Sequence, residues 1–525
     1  MIARTVLFIS FPLSEPSLTG WRLSSGYCAW TRAHKPAAVI LRLPNFLQIE
    51  VDSGVASMNA SKAEFRAAKE ATGPESISVL SLLRGHRFDP YERWTRIRRD
   101  HGPVAHYHYG IFNNFFISSA EGAKRVLQDN IGNYTKEHTA YKMVRRLVGN
   151  GLLTSEGSFW LRQRRLAQPA FHRDRIARMA NLMTAAALET AERWEAKATS
   201  GEPVSMMNEM SNLTLKVVGD ALFGAAVSAQ AATVAESFEV LSQQMVERFS
   251  RLRLLPPVLP TKYDREFRRA RGLMFSVVDE IIAGKRAHGE SDDLLSMFMQ
   301  ARDEDTGERM SDAQLRDEVT TMLLAGHETT AVVLAWVWAL LAHHPSVAQK
   351  LRDELDRVLA GRTPTAADVS QLPYAKSVIE EAMRLYPPVY ILQRHVKEND
   401  VVCGFRVYKG GSVVISPLIL HRHPSYWEKP DDFLPERWMD SAAENRRPRF
   451  AYIPFSGGPR QCIGDNFSRL ESILLLATLA QRFQPMPVGA ELPKPEFLVL
   501  ARPAGGVPMI LRRRAQRADD GRASA

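Results

Sequence analysis

From Asp89 onward the apolar positions of this chain fall at regular intervals. Asp89-Pro90 supplies a cap and a proline at the first helical position, and Trp94, Ile97 and Arg98 continue at turn spacing, which predicts a helix. After His101-Gly102-Pro103 the period shortens. Val104 to Tyr109 and Phe112 to Ile117 are rich in aromatic and β-branched residues and flank a short loop, the pattern of a hairpin. Ser118-Ser119-Ala120-Glu121 reads as a capping box for the next helix.

Between about Phe159 and His344 the pattern is helical almost throughout, broken at Gly201-Glu202-Pro203, at Pro256-Pro257 and around Gly289. Ser311 to Gln314 opens with a capping box, and an apolar pattern runs on to His344 before Pro345, a helix of about 33 residues or ~50 Å. Strand signals return late. Val401 to Val407 and Ser412 to Ile415, joined through Lys409-Gly410-Gly411, are expected to form a hairpin, with weaker signals at Phe497 to Leu500 and Met509 to Leu511. The chain is therefore expected to be mainly α with a small β region.

Residues 1–57 show no clear period and are expected to be a disordered N-terminal extension or to lie upstream of the natural start. The early apolar stretch from Val6 to Ile9 is far short of the ~20 residues that span a bilayer, so no membrane span is expected. The run Arg512 to Arg514 is read as the start of a solvated basic tail, 512–525.

Composition changes this picture little. Hydrophobic residues make up 45% and charged residues 24%, as in ordinary globular proteins. Cys28, Cys403 and Cys462 are too few and too scattered for a disulfide framework and read as intracellular. The net charge of +10 is spread through many segments, and no zinc-knuckle spacing, basic-zipper register or aromatic RNA-binding run accompanies it, so nucleic acid is not the expected partner.

The chemistry is concentrated in Phe455-Ser-Gly-Gly-Pro-Arg-Gln-Cys-Ile-Gly464. A cysteine just before an apolar helix, here from about Asn466, is placed to lose its proton, because the helix N-terminus favours an anion. Gly457, Gly458 and Gly464 allow positive φ and let amide N–H groups turn toward sulfur. A lone cysteine is usually a small core residue, which is the reading kept for Cys28 and Cys403. The decapeptide resembles the cytochrome P450 haem-binding signature at Phe455, Gly458, Arg460, Cys462 and Gly464. The resemblance makes Cys462 the iron ligand and Arg460 a partner of a haem propionate.

Near the middle of the long helix stands Ala325-Gly-His-Glu-Thr-Thr330, similar to the family's oxygen-activating motif. Gly326 inside a helix costs about 1 kcal/mol relative to alanine, and close approach of O2 is the offsetting reason expected here. Thr329 lies one turn after Ala325, so its hydroxyl can bond the carbonyl four residues back. The resemblance assigns proton delivery to Glu328 and Thr329. His327 is given no catalytic role.

Glu381 and Arg384 are three apart on a helix that stops at Pro387-Pro388, and with Pro435-Glu436-Arg437 they resemble the family's ExxR triad, a structural feature. Trp160 and Arg164, together with Arg394, resemble the haem propionate contacts. Leu147, Ile391 and Leu392 resemble substrate contacts. Trp438 stands where phenylalanine is commoner, with no catalytic consequence expected.

The resemblance covers about Asp89 to Leu511. It implies a cytochrome P450 catalytic domain (58–511) with haem b, inserting one oxygen atom from O2 into a lipophile such as a fatty acid or terpenoid. Electrons would come from NAD(P)H through a separate ferredoxin or flavodoxin and its reductase, in a cytoplasmic monomer. A haem-thiolate peroxygenase or isomerase, and a non-catalytic haem-based sensor, are the alternatives.

Overall fold

A computed structural model describes residues 39–42, 48–51, 63–77, 89–224, 231–250, 262–289, 293–302 and 307–514. Two units are distinguished, 1–67 and 68–525. In the first, β1 (Val39–Arg42) and β2 (Gln48–Val51) pair antiparallel, a hairpin within the stretch expected to lack structure. The rest of 1–57, including Cys28, lies outside the described residues.

In the second unit, α1 (Pro90–His101) begins as expected, with the Asp89 carboxylate accepting from the Glu92 amide. β3 (Val104–Tyr109) and β4 (Phe112–Ile117) form the expected hairpin, in register from Val104↔Ile117 to Tyr109↔Phe112. The following cap is Ser119, which accepts from the Gly122 amide, one residue later than the capping box placed it.

The late hairpin is corrected. The run 401–407 folds on itself as β8 (Asp400–Val402) and β9 (Phe405–Val407). Cys403 at φ 50° and Gly404 at φ 79° put two consecutive left-handed residues at the turn, which matches the twist of a tight hairpin. Released from that pairing, β10 (Ser412–Ile415) enters a five-stranded sheet. It pairs parallel to β4 and antiparallel to β7 (Leu392–Val396), whose other edge carries β5 (Tyr134–Thr135). All four residues of β10 are buried, and the apolar run Val413-Val414-Ile415 suits a central strand.

The helical part is built on α2 (Thr139–Val148), α3 (Gly157–Ala167), α4 (Ala180–Ser200), α5 (Met206–Phe223), α6 (Asp312–His343), α7 (Pro373–Leu385) and α8 (Asp465–Ala480). α6 carries the expected capping box between Ser311 and Gln314. Leu323, Trp336 and Val337 on it are fully buried, and a helix apolar on all sides belongs in a core. By length and composition α6 could cross a membrane, but 83% of its most apolar window is buried inside the protein.

The basic tail is also corrected. The strand Pro508–Arg513 pairs with Phe483–Pro487, taking Arg512 and Arg513 into a sheet. Arg514 continues inward, bonding both carboxylate oxygens of Asp356 at 3.0 and 2.8 Å. The alternation on this strand buries Met509 and Leu511, a period too short to stand out from the sequence, and leaves Arg512 and Arg513 exposed.

Candidate active site

The loop before α8 doubles back so that the Cys462 amide donates to the Phe455 carbonyl at 2.9 Å. Only Gly458 of the three expected glycines has positive φ, at 69°; Gly457 is extended and Gly464 sits at φ −87°. A Cβ on Gly458 would lie 1.9 Å from the Leu127 carbonyl oxygen, so that glycine answers a close approach of backbone. Ser456, not a glycine, supplies the loop's other left-handed residue.

The Cys462 sulfur opens into a cavity of about 980 Å³. The expected depression of its pKa is not what the surroundings produce. Burial of the site pushes the thiol up, while the Gly464 amide, Arg164 and Lys136 act in the opposite direction. The helix end is in place, but low-polarity surroundings outweigh it.

Around the same cavity stands a group of cations. Arg394 is buried on β7, Arg460 is mostly buried, and its guanidinium stacks 4.0 Å from the Trp160 ring centroid. Arg164 donates to the Gln461 carbonyl at 3.0 Å. Lys136, which sequence reasoning missed, is buried beside them. Burial and the like charges of Arg394 and Arg460 hold its ammonium well below the usual lysine range. Glu156 offsets one charge through Arg460 at 2.8 Å. Arg394 Nε, Arg460 Nη1 and His138 Nε2 are buried without a hydrogen-bond partner. Burying unpaired donors and repelling cations is costly unless an anion completes the site. The set fits a dianionic group such as the two propionates of haem, with Cys462 available to its iron.

On α6, Thr329 Oγ1 donates to the Ala325 carbonyl at 2.6 Å, the bond its spacing predicts, and both residues line the cavity. Gly326 lines it too, and it has a packing reason besides: a Cβ there would meet Val218 Cγ2 of α5 at 3.2 Å. Glu328 is buried off the cavity wall, its carboxylate 3.2 Å from His327 Nε2 but out of line for a hydrogen bond. The structure thus brings Thr329 to the cavity and leaves Glu328 behind it. Thr330 adds a contact unforeseen from sequence, Oγ1 to Ser468 Oγ at 3.2 Å. Burial pushes the carboxyl of Glu471, fully buried on α8, well above the usual carboxylate range.

The Glu381 network is complete. Arg384 bonds both Glu381 oxygens at 2.8 and 2.9 Å, and Arg437 Nε bonds Oε1 at 3.0 Å. Trp438 is no passive replacement: its indole donates to Glu381 Oε2 at 2.9 Å. Leu147, Ile391 and Leu392 all line the cavity, as do the unforeseen Leu152, Leu153 and Val389.

A further buried acid, Glu318 on α6, accepts from the Leu152 amide at 2.9 Å, and burial pushes its carboxyl up to about 7. The folded state therefore holds a proton that the unfolded chain releases above its ordinary value of 4.5. Stability falls as pH rises from that value through about 7, the reverse of a salt-bridged acid. Glu318→Gln is expected to gain stability over the parent, the gain growing by about 1 kcal/mol between pH 6 and pH 8. Urea unfolding at the two pH values checks it, and an equal gain at both would contradict the assignment.

The cytochrome P450 family model matches residues 73–508. Cyclooctatin synthase of Streptomyces melanosporofaciens is 37% identical over 371 residues, 69% of this chain and 79% of that protein. Pentalenene oxygenase of Streptomyces avermitilis is 32% identical over 421 residues, 79% of this chain and 90% of its own. Carotene epsilon-monooxygenase, chloroplastic, of Arabidopsis thaliana is 33% identical over 431 residues, 77% and 78% of the two chains. With the thiol, the cations and Thr329 gathered on one cavity and the family match running through all of them, the chain belongs to the cytochrome P450 family and is a P450 monooxygenase.

Proposed function

We propose that this monooxygenase oxygenates a neutral isoprenoid hydrocarbon or a close relative of one. The observation that carries the reading is the charge distribution of the cavity. Its cations, Lys136, Arg164, Arg394 and Arg460, belong to the group around Cys462; of the other acidic or basic residues lining it, Asp89 and Glu496 are acids, and burial pushes the His138 imidazole down to about 4, so it is a poor partner for an anion. A fatty acid would need a further cation for its carboxylate; a hydrocarbon needs none. Apolar side chains such as Leu147, Leu152, Val389 and Ile391 provide the contact surface. The relatives named for carotene and for pentalenene point to the same class.

Haem bound at Cys462 supplies the activation of O2. Lys136, Arg394 and Arg460 would neutralise its propionates, and Trp160 keeps the Arg460 guanidinium in place by stacking. Thr329 holds a proton at Oγ1 within the cavity, and its bond to the Ala325 carbonyl aims that hydroxyl. Glu328, behind the wall and beside His327, would have to turn toward Thr329 to serve as a proton reserve. The apolar lining excludes bulk water from the reacting face. Electrons from NAD(P)H through a ferredoxin or flavodoxin, a monomeric state and a cytoplasmic location complete the proposal.

The test is a panel of neutral terpenoid hydrocarbons and fatty acids offered to the haem-loaded protein. Hydrocarbons are expected to displace iron-bound water, seen as a spin-state change, and to give oxygenated product with NAD(P)H, ferredoxin and reductase. A response to fatty acids alone would defeat the reading. Thr329→Val is expected to lower product formed per NAD(P)H consumed by roughly tenfold or more. Unchanged coupling would remove Thr329 from proton delivery.

A further inference from the structure

The segment from Gly149 to Ser155 runs along the cavity between α2 and α3, and Leu152 and Leu153 within it line the wall. It is irregular backbone, so its buried amides and carbonyls need partners from elsewhere. The Thr154 and Ser155 amides turn back to the Gly151 carbonyl, and two consecutive acids of α6 take those of Asn150 and Leu152. Asp317 Oδ2 accepts from Asn150 N at 2.7 Å, and Glu318 Oε2 accepts from Leu152 N at 2.9 Å. Cations take the carbonyls on the other side: Lys136 Nζ donates to Leu153 at 2.8 Å and Arg460 Nη2 to Ser155 at 2.7 Å.

The approach is close enough to exclude side chains. A Cβ on Gly149 would lie 1.9 Å from Asp317 Oδ1, and one on Gly151 would lie 2.5 Å from Thr321 Oγ1. Around the Glu318 carboxylate, Oε1, both amide atoms of Gln163 on α3 and Thr321 Oγ1 are buried with no hydrogen-bond partner. An acid whose ionisation burial opposes is an expensive way to fill this space, which makes a plain packing role a poor account of it.

We propose that Glu318 and Asp317 are positioning residues that latch residues 150–152 against α6, so that the Leu152–Leu153 wall, and with it the bulk of substrate admitted, is set by two acid-to-amide bonds. The substrate half of this inference rests on the lipophile reading above; the latch itself does not.

Hydrogen–deuterium exchange of the full-length haem-loaded protein tests the latch without any substrate. In Glu318→Ala the amides of a peptide spanning 149–155 are expected to exchange at least about tenfold faster, since the bond that protects Leu152 is gone. Glu318→Gln keeps an acceptor and is expected to exchange within about twofold of the parent. Two neutral lipophiles of different bulk are then titrated by spin-state change. Glu318→Ala is expected to shift their affinity ratio about fivefold toward the bulkier one, and Glu318→Gln to restore it.

Unchanged exchange in Glu318→Ala overturns the latch, and faster exchange with an unchanged ratio overturns its role as a wall. Equal losses in the Gln and Ala variants, with haem content falling in both, would mean that the acid supports the fold alone and would also overturn the proposal. If no lipophile perturbs the parent spectrum, the substrate reading fails while the exchange result still decides the latch.

Discussion

Glu381→Ala is expected to yield little or no folded, haem-bearing protein. The Glu381 carboxylate is fully buried and accepts five hydrogen bonds, from Arg384 Nε and Nη2, Arg437 Nε, the Leu434 amide and the Trp438 indole. Removing it leaves the completely buried Arg384 guanidinium without its counter-charge, a change that costs about 3–5 kcal/mol. The orphaned Leu434 and Trp438 donors add about 1–3 kcal/mol each if they stay dry. Together these approach or exceed the roughly 5–15 kcal/mol by which a typical domain is stable. Arg384 also reaches the carbonyls of His421, Pro430 and Asp432, so its displacement loosens the coil that leads to the Cys462 loop. Soluble yield and thermal unfolding measure the effect. A melting temperature within a few degrees of the parent would show that the network holds nothing essential.

Cys462→Ala is expected to do the opposite: to leave the fold standing and remove the chemistry. The sulfur opens into the cavity and packs no core, so the chain without cofactor should unfold within about 1 kcal/mol of the parent. The haem-loaded parent, reduced and exposed to carbon monoxide, should show the strongly red-displaced Soret absorption of a thiolate ligand. The alanine variant should show none, with product formation down by roughly 10³-fold or more. A thiol that ligates a metal does so as the thiolate, so Cys462 would give up its proton on haem binding. Haem capture by the parent should therefore release a proton that capture by Cys462→Ala does not, measurable in a weakly buffered titration. A red-displaced band in the variant would remove Cys462 from the iron.

The cavity carries its own account of what the sequence could reveal. The Phe455–Gly464 loop and the Ala325–Thr330 hexapeptide were legible because several residue types with different tasks crowd into short windows. The Glu381 and Arg384 pair was legible as one helical face. Lys136 was not, since a single lysine in a polar stretch carries no local signal, and its burial follows from how β5 and α2 pack beside Arg394. Trp438 was discounted for the same reason: nothing near it in sequence announces a carboxylate fifty-seven positions away.

The placing of Glu328 shows a different limit. Helical spacing puts Glu328 next to Thr329, and adjacent residues on a helix point about 100° apart, so neighbours in sequence need not share a face; here Thr329 lines the cavity and Glu328 does not. Sequence proximity suggested a pair, and geometry separated it. Likewise the β8–β9 turn was hidden because Cys403 adopts positive φ without being glycine.

The linear chain by itself determined the helical class, the long capped helix α6 and the first hairpin, and it singled out Cys462 as the candidate iron ligand, since each depends on neighbours within a few turns or a single short motif. Tertiary structure alone decided which cations converge, which acid sits behind the wall, where β10 pairs and that Glu318 meets the Leu152 amide. Those outcomes depend on burial and on contacts between distant segments, and burial reverses the sign of a local preference, as it does for the Cys462 thiol.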